Sequence, residues 1–205
     1  MILLQLATGP IQVNTYIVGD ETTKKAMVVD PGGQVPQIMR ALQEQGLTCE
    51  LIFNTHTHWD HVGGNGELKA KTSAPIVTHP DEAATLGTEE MQARMFGLSV
   101  PSSPPADRTV REGDTIELGA LSFRVIELPG HSPCGVGLVI DGYVFAGDAL
   151  FFGSIGRTDF PGGDLQALLT NIREKIFTLP DETVVLTGHG PATTVGREKA
   201  TNPFF

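Results

Sequence analysis

Short apolar runs alternate with polar and glycine-rich segments along this chain, and the runs predict a series of strands. Each run has strand length, and Gly or Pro residues punctuate the segments between several of them. The predicted strands are 2–6, 15–18, 26–29, 51–53, 75–78, two strands within 115–128 that meet at Gly119, 136–140, 143–146 and 183–186.

Helical spacing of apolar residues predicts helices between several of these strands. Val35, Ile38 and Leu42 recur at this spacing, and Asp164 is a candidate N-cap for a later helix. The predicted helices are 35–45, 65–72, 81–97, an apolar stretch from 165 to 176, and 194–200. Strands that alternate with helices indicate an α/β fold. No linker or repeat interrupts the pattern, so we predict a single domain, residues 1–205.

The composition argues against some classes of binding partner. The chain has 205 residues, with 24 acidic and 14 basic side chains and a net charge of −10, which argues against nucleic acid as a partner. No signal peptide or membrane span is visible, and two distant cysteines indicate a reducing compartment. We therefore expect a cytoplasmic protein whose partners are neither nucleic acid nor membrane. The oligomeric state is not indicated.

The densest cluster of potential metal ligands directly follows the strand at 51–53. Residues 56–61 have the pattern H-x-H-x-D-H, and Gly63 and Gly64 then favour a tight turn. Imidazole nitrogens and carboxylate oxygens are donors that divalent transition metals accept. The pattern predicts a metal-binding loop at a strand end, with four candidate ligands: His56, His58, Asp60 and His61.

Three later segments share one layout, in which an apolar strand is followed by glycine and then by one potential ligand. These ligands are His131, Asp148 and His189. Sites in α/β sheets gather where strand ends meet, so we expect these residues to converge with the first cluster. Seven donors exceed the needs of one tetrahedral zinc and favour two metal ions that share a carboxylate.

Three other residues have more than one interpretation. His79 precedes an apparent helix start and is expected to be a loop or capping residue. Asp30 is expected either to accept a hydrogen bond from a ligand histidine or to cap the Pro31-Gly32 turn. Cys134, three residues after His131, is expected either to lie near the metals or, as the favoured alternative, to be a small residue packed behind the loop that carries His131.

These motifs together resemble the metallo-β-lactamase superfamily: the THTHWDH segment, PGH at 129–131, GD at 147–148 and GHG at 188–190. Within it, the chain is most similar to the glyoxalase II-like branch, the hydroxyacylglutathione hydrolases. The supporting segments are Asn14-Thr15-Tyr16, residues 153–160 and residues 188–191. The resemblance implies a four-layer αβ/βα sandwich. It also implies a first metal held by His56, His58 and His131, a second held by Asp60, His61 and His189, and Asp148 as the bridge.

The activity implied by the resemblance is metal-dependent hydrolysis of a thioester, with S-D-lactoylglutathione as the model substrate. Two divalent cations would hold a bridging hydroxide, which Asp60 would orient for attack on the carbonyl carbon. Zinc is the expected metal, with iron and manganese as alternatives.

The chain departs from full-length glyoxalase II at two places. It ends at Phe205, before the helical domain that contributes basic residues to glutathione binding. The resemblance therefore does not indicate which thiol carries the acyl group. Arg157 and Asp159 stand where those enzymes have lysine and tyrosine. Arg157 is expected either to bind a substrate carboxylate or to form a buried ion pair with Asp159 or another carboxylate.

Other activities of the superfamily compete with this hypothesis. Residues 156–160 and 174–180 also resemble persulfide dioxygenases, which use one iron at positions matching His56, His131 and Asp148. A lactonase would use the same ligands as the thioesterase. A β-lactamase is less favoured, because the main zinc-dependent class has cysteine where Asp148 stands. A purely structural metal site would favour a closed, cysteine-rich ligand set.

Overall fold

The computed structural model describes residues 1–205 and divides into two compact units. The first unit comprises residues 1–110 and 117–122, and the second comprises residues 111–116 and 123–205. Two compact units can belong to one folding domain, so the single domain stays a prediction. No helix in the chain has the length and apolar character needed to cross a membrane.

The strands of the first unit form a six-stranded sheet in sequential order. The first three strands pair antiparallel, and the third to sixth pair parallel. Their bounds are Ile2–Thr8 (β1), Val13–Gly19 (β2), Lys25–Val29 (β3), Thr48–Phe53 (β4), Ile76–Thr78 (β5) and Arg108–Thr109 (β6). Because β3, β4 and β5 run in one direction, the residues that follow them lie at one edge of the sheet.

One helix covers this sheet as its apolar spacing predicts. Helix α1, Val35–Glu44, buries Val35, Ile38 and Leu42 in a core that also contains strand residues of β3 and β4. The remaining helices of the unit are short. They are Trp59–Val62 (α2), Asn65–Thr72 (α3), Pro80–Ala83 (α4) and Glu89–Arg94 (α5).

The helix predicted over 81–97 is wrong in its length. The structure has two short helices there, α4 and α5, separated by a turn. Gly87 in that turn has φ +95°, a left-handed conformation that interrupts a right-handed helix. The apolar spacing across this stretch therefore continues through a turn that interrupts the helix.

The second sheet also has six strands, and its three ligand-bearing strands run in the same direction. Their order is β14-β13-β10-β9-β8-β7; β8 and β10 each pair antiparallel with β9, and β10 pairs parallel with β13. The bounds are Thr115–Leu118 (β7), Leu121–Glu127 (β8), Val136–Ile140 (β9), Tyr143–Gly147 (β10), Val184–Thr187 (β13) and Thr193–Thr194 (β14). A separate hairpin consists of Leu150–Phe151 (β11) and Ser154–Ile155 (β12).

A helix with two geometries packs in the core of the second unit. Helix α6, Leu165–Asn171, continues as a π-helical turn, Ile172–Ile176. The predicted N-cap is confirmed, because the Asp164 carboxylate accepts a hydrogen bond from Ala167 N at 2.9 Å. The last helix is Val195–Thr201 (α7). Both cysteines, Cys49 and Cys134, are buried free thiols.

Candidate metal centre

The first group of candidate ligands lies in the segment that follows β4. His56 and His61 are buried, and their ring centroids are 4.0 Å apart; the rings of His56 and His58 are 4.7 Å apart. Asp60 Oδ2 lies 3.4 Å from His61 Nε2. The first unit thus brings all four predicted ligands of this segment together.

Asp30, at the end of β3, orients the histidines of this group. Its Oδ2 accepts a hydrogen bond from His61 Nδ1 at 3.0 Å, and its two oxygens also accept from the backbone N–H and hydroxyl of Thr55. The Thr55 hydroxyl in turn lies 3.1 Å from His56 Nδ1 and can accept its proton. A carboxylate can only accept here, so it assigns the proton of His61 to Nδ1 and leaves Nε2 as the candidate metal-donor atom.

A helix of one turn, α2, carries Asp60 and His61 and packs closely against the Pro31–Gly32 backbone. Gly64 N donates a hydrogen bond to Pro31 O at 2.7 Å. A methyl group on Gly32 would overlap the carbonyl oxygen of Asp60. Glycine at position 32 therefore permits the backbone approach that places these two ligands beside Asp30.

The second group of candidate ligands follows the three same-direction strands of the second unit. His131 comes after β8, Asp148 after β10 and His189 after β13. Asp148 Oδ2 lies 3.6 Å from His131 Nε2 and 3.7 Å from His189 Nε2. The shared strand direction explains this meeting, and the carboxylate lies within reach of both imidazoles.

The loop after the β11–β12 hairpin fixes the ring of His131. His131 Nδ1 donates to the backbone oxygen of Arg157 at 2.7 Å, which leaves Nε2 as the donor atom on the side of Asp148. Gly156 makes this path possible, since a methyl group there would overlap the carbonyl oxygen of Asp148 and touch the His131 ring.

Substitution of Gly156 with alanine is expected to lower the free energy of unfolding by about 1–3 kcal/mol, the usual range for overpacking a tight site. Chemical denaturation of the metal-free protein measures this change. Gly66→Ala is the matched control, because its added methyl group meets Pro104 only at ordinary contact distance. Equal stability of both variants would contradict the close approach at Gly156.

The donor set fits divalent cations. Metal-bound histidines usually donate the other ring N–H to a carboxylate, hydroxyl or backbone carbonyl. His61 does so to Asp30 and His131 to the carbonyl of Arg157, and the hydroxyl of Thr55 is positioned to accept from His56. Imidazoles and carboxylates suit zinc and, equally, iron or manganese.

The structure also answers the open questions on single residues. Asp30 does accept a hydrogen bond from a candidate ligand, His61. His79 is the N-cap of α4 and accepts from Asp81 N at 3.1 Å, as predicted for a capping residue. Arg157 pairs with Asp159 through two hydrogen bonds of 2.7 Å, but this ion pair is exposed rather than buried.

Sequence comparison assigns the family. The family model of the metallo-beta-lactamase superfamily matches residues 8–189. The chain belongs to this superfamily. The metallo-β-lactamase fold expected from the motifs is therefore confirmed, and so is the coarser functional prediction of a superfamily metallo-hydrolase.

Three similar proteins match nearly the whole chain. The hydroxyacylglutathione hydrolase GloC of Haemophilus influenzae is 36% identical and covers 95% of this chain and 93% of its own length. TTHA1623, solved as a crystal structure in a di-iron-bound form, is 38% identical in sequence with a TM-score of 0.91. The match covers 98% of this chain and 100% of the TTHA1623 chain. The B3 metallo-beta-lactamase BLEG-1 is 36% identical with a TM-score of 0.91, covering 99% of each chain.

Proposed function

We propose that this protein is a thioesterase of the hydroxyacylglutathione hydrolase type that works with two divalent metal ions. The observation that carries the proposal is the likeness to GloC over 95% of the chain, in a sequence that contains all seven candidate ligands. The di-iron form of TTHA1623 supports the use of two ions by a protein of this length.

The proposed assignment divides the seven ligands between two cations. His56, His58 and His131 hold the first, Asp60, His61 and His189 hold the second, and Asp148 bridges them. Zinc is the proposed metal, with iron or manganese as alternatives. When bound, such cations lower the pKa of a coordinated water to about 7 and polarise a carbonyl oxygen.

Asp60 is the proposed catalytic residue of the chain itself. Its Oδ2 is held 3.4 Å from His61 Nε2, and its carboxylate accepts a hydrogen bond from the attacking water and orients that water toward the thioester carbon. Attack forms the C–O bond, and collapse of the tetrahedral adduct breaks the C–S bond and releases a thiol. The products are a carboxylic acid and the thiol carrier.

Assays of the metal-loaded protein on a panel of substrates test this function. We expect hydrolysis of S-D-lactoylglutathione or the same acyl group on another thiol, detected as free thiol. Uptake of oxygen with a persulfide, or hydrolysis of a lactone, in place of thioester cleavage would overturn the proposal in favour of the dioxygenase or the lactonase.

Hydrolysis of a β-lactam is a second candidate function. The likeness to BLEG-1, a B3 metallo-beta-lactamase, favours it more than the motifs alone do. A chromogenic cephalosporin in the same panel separates the two candidates. A value of kcat/KM higher for the cephalosporin than for every thioester would make the β-lactamase the better assignment.

Arg157 is the proposed contact for a substrate carboxylate. Its guanidinium stacks 3.8 Å from the centroid of Phe160 and lowers the pKa of Asp159 to about 2 through their hydrogen bonds. Hydrogen bonds to charged groups contribute about 1.5–3 kcal/mol, so Arg157→Ala is expected to raise KM for a carboxylate-bearing thioester by roughly tenfold to a hundredfold. Steady-state kinetics measure this change.

Two controls separate binding from a structural role. A neutral thioester of N-acetylcysteamine has no carboxylate, so its KM is expected to change little in Arg157→Ala. Asp159→Asn removes the competing carboxylate and is expected to leave KM for the charged substrate unchanged or lower. Equal losses on both substrates, together with a lower melting temperature, would show that Arg157 is structural.

A further inference from the structure

Glu82 is a buried carboxylate that contacts the ligand segment at its centre. The side chain is 1% exposed and belongs to the short helix α4. Its Oε2 accepts hydrogen bonds from the backbone N–H of Thr57 and from the Thr57 hydroxyl, both at 2.9 Å. Thr57 is the residue between the candidate ligands His56 and His58.

The backbone geometry of this segment couples the orientation of Thr57 to that of both histidines. Successive side chains of an extended segment point to opposite sides, and His58 has extended backbone angles of φ −64° and ψ 146°. The rings of His56 and His58 lie 4.7 Å apart, as expected for alternate side chains of an extended segment that share one side. A contact that fixes Thr57 therefore fixes the side toward which both imidazoles point.

A second set of hydrogen bonds braces the same contact. The Thr85 hydroxyl donates to the backbone oxygen of Glu82 at 2.8 Å and lies 2.5 Å from the Thr57 hydroxyl. His79 caps the helix that carries Glu82. These contacts fix the backbone of Glu82 and so restrict its carboxylate. A support for a ligand segment has to be rigid in this way.

We propose that Glu82 is a positioning residue for the metal ligands His56 and His58, acting through Thr57. The inference rests on the proposed metal-binding role of these histidines. A charged acceptor forms hydrogen bonds about twice as strong as a neutral one, so the carboxylate holds the Thr57 N–H more firmly than an amide would. Outer partners of metal ligands typically account for tenfold to a hundredfold in metal affinity.

Glu89 provides a matched control for a purely structural role. It is fully buried in the neighbouring short helix α5, and its carboxylate accepts from the backbone N–H groups of Gly87 and Ser103. Neither of these residues belongs to the ligand segment. Loss of Glu89 removes a buried carboxylate of the same unit without releasing Thr57.

The test is titration of the metal-free full chain with Co²⁺ in competition with a chelator, followed by the visible absorption of bound Co²⁺. Glu82→Ala is expected to weaken Co²⁺ binding by about tenfold to a hundredfold and to change the absorption spectrum, since ligand geometry relaxes. Glu89→Ala is expected to lower the melting temperature and to keep the affinity and spectrum of the wild type.

The conservative variants keep the test decisive if an alanine variant does not fold. Glu82→Gln can still accept from Thr57 N–H, so we expect it to bind Co²⁺ more weakly than Glu89→Gln but more tightly than Glu82→Ala. Equal affinities for the Glu82 and Glu89 variants would overturn the inference while leaving the proposed function in place. Absence of Co²⁺ binding by the wild type would instead overturn the metal assignment and this inference with it.

Discussion

Replacement of Asp148 with alanine is expected to lower kcat/KM by more than about 100-fold and to weaken the binding of both metal ions. Asp148 Oδ2 lies within 3.7 Å of the Nε2 atoms of His131 and His189. Its loss removes the only carboxylate proposed to lie between two cations, which then repel each other without an intervening anion. Partners outside the ligand shell already account for tenfold to a hundredfold, so a bridging ligand should exceed that range.

Elemental analysis of the metal content, together with thioesterase kinetics, tests this prediction. Asp141→Ala is the control, because Asp141 is an exposed carboxylate in the turn between β9 and β10. We expect it to retain both metals and full turnover. Retention of two metals at wild-type affinity in Asp148→Ala would show that another residue bridges them.

Replacement of Asp30 with asparagine is expected to weaken binding of the cation proposed to be held by His61 by about tenfold to a hundredfold. The amide oxygen can still accept from Thr55 N, but the amide nitrogen then faces His61 Nδ1, where only an acceptor fits the present tautomer. His61 is driven to carry its proton on Nε2, the atom that should bind the metal. Asp30 has φ +50°, which asparagine tolerates, so the backbone is not the cause.

Metal affinity by chelator competition measures the effect, and Asp20→Asn serves as its control. Asp20 is also buried and accepts from Thr22 N, Thr23 Oγ1 and Ala120 N, but it does not contact a candidate ligand. The control is expected to lose stability without losing metal affinity. A proportionate loss of affinity in both variants would reduce the role of Asp30 to general stability.

The sequence predicted the elements whose apolar pattern is long enough to show a period. Helix α3 has the predicted bounds, and α1 and most strands differ from their predicted bounds only at the ends. Helix α2 was missed because it spans only four residues, Trp59–Val62, inside the ligand motif. The break at Gly87 was missed because apolar spacing alone does not show the sign of φ.

The candidate ligands were predictable because each follows an apolar strand, whereas their supports depend on contacts distant in sequence. Glu82 lies 25 residues from Thr57, and the carbonyl of Arg157 lies 26 residues from His131. For Glu82 the only local signal is an acidic residue in the first turn after a capping histidine. No periodicity encodes which buried carboxylate will meet which loop, so Glu82 and the carbonyl of Arg157 emerged only from the structure, whereas Asp30 was predicted as one of two alternatives.

The central claim is that seven side chains of this protein hold two metal ions. Anomalous difference maps from crystals of the metal-loaded protein, recorded on both sides of the zinc and iron edges, test it directly. The account predicts two peaks, one bound by His56, His58 and His131 and the other by Asp60, His61 and His189, with Asp148 touching both. A single peak in metal-replete crystals, with Asp60 and His61 unbound, would contradict it.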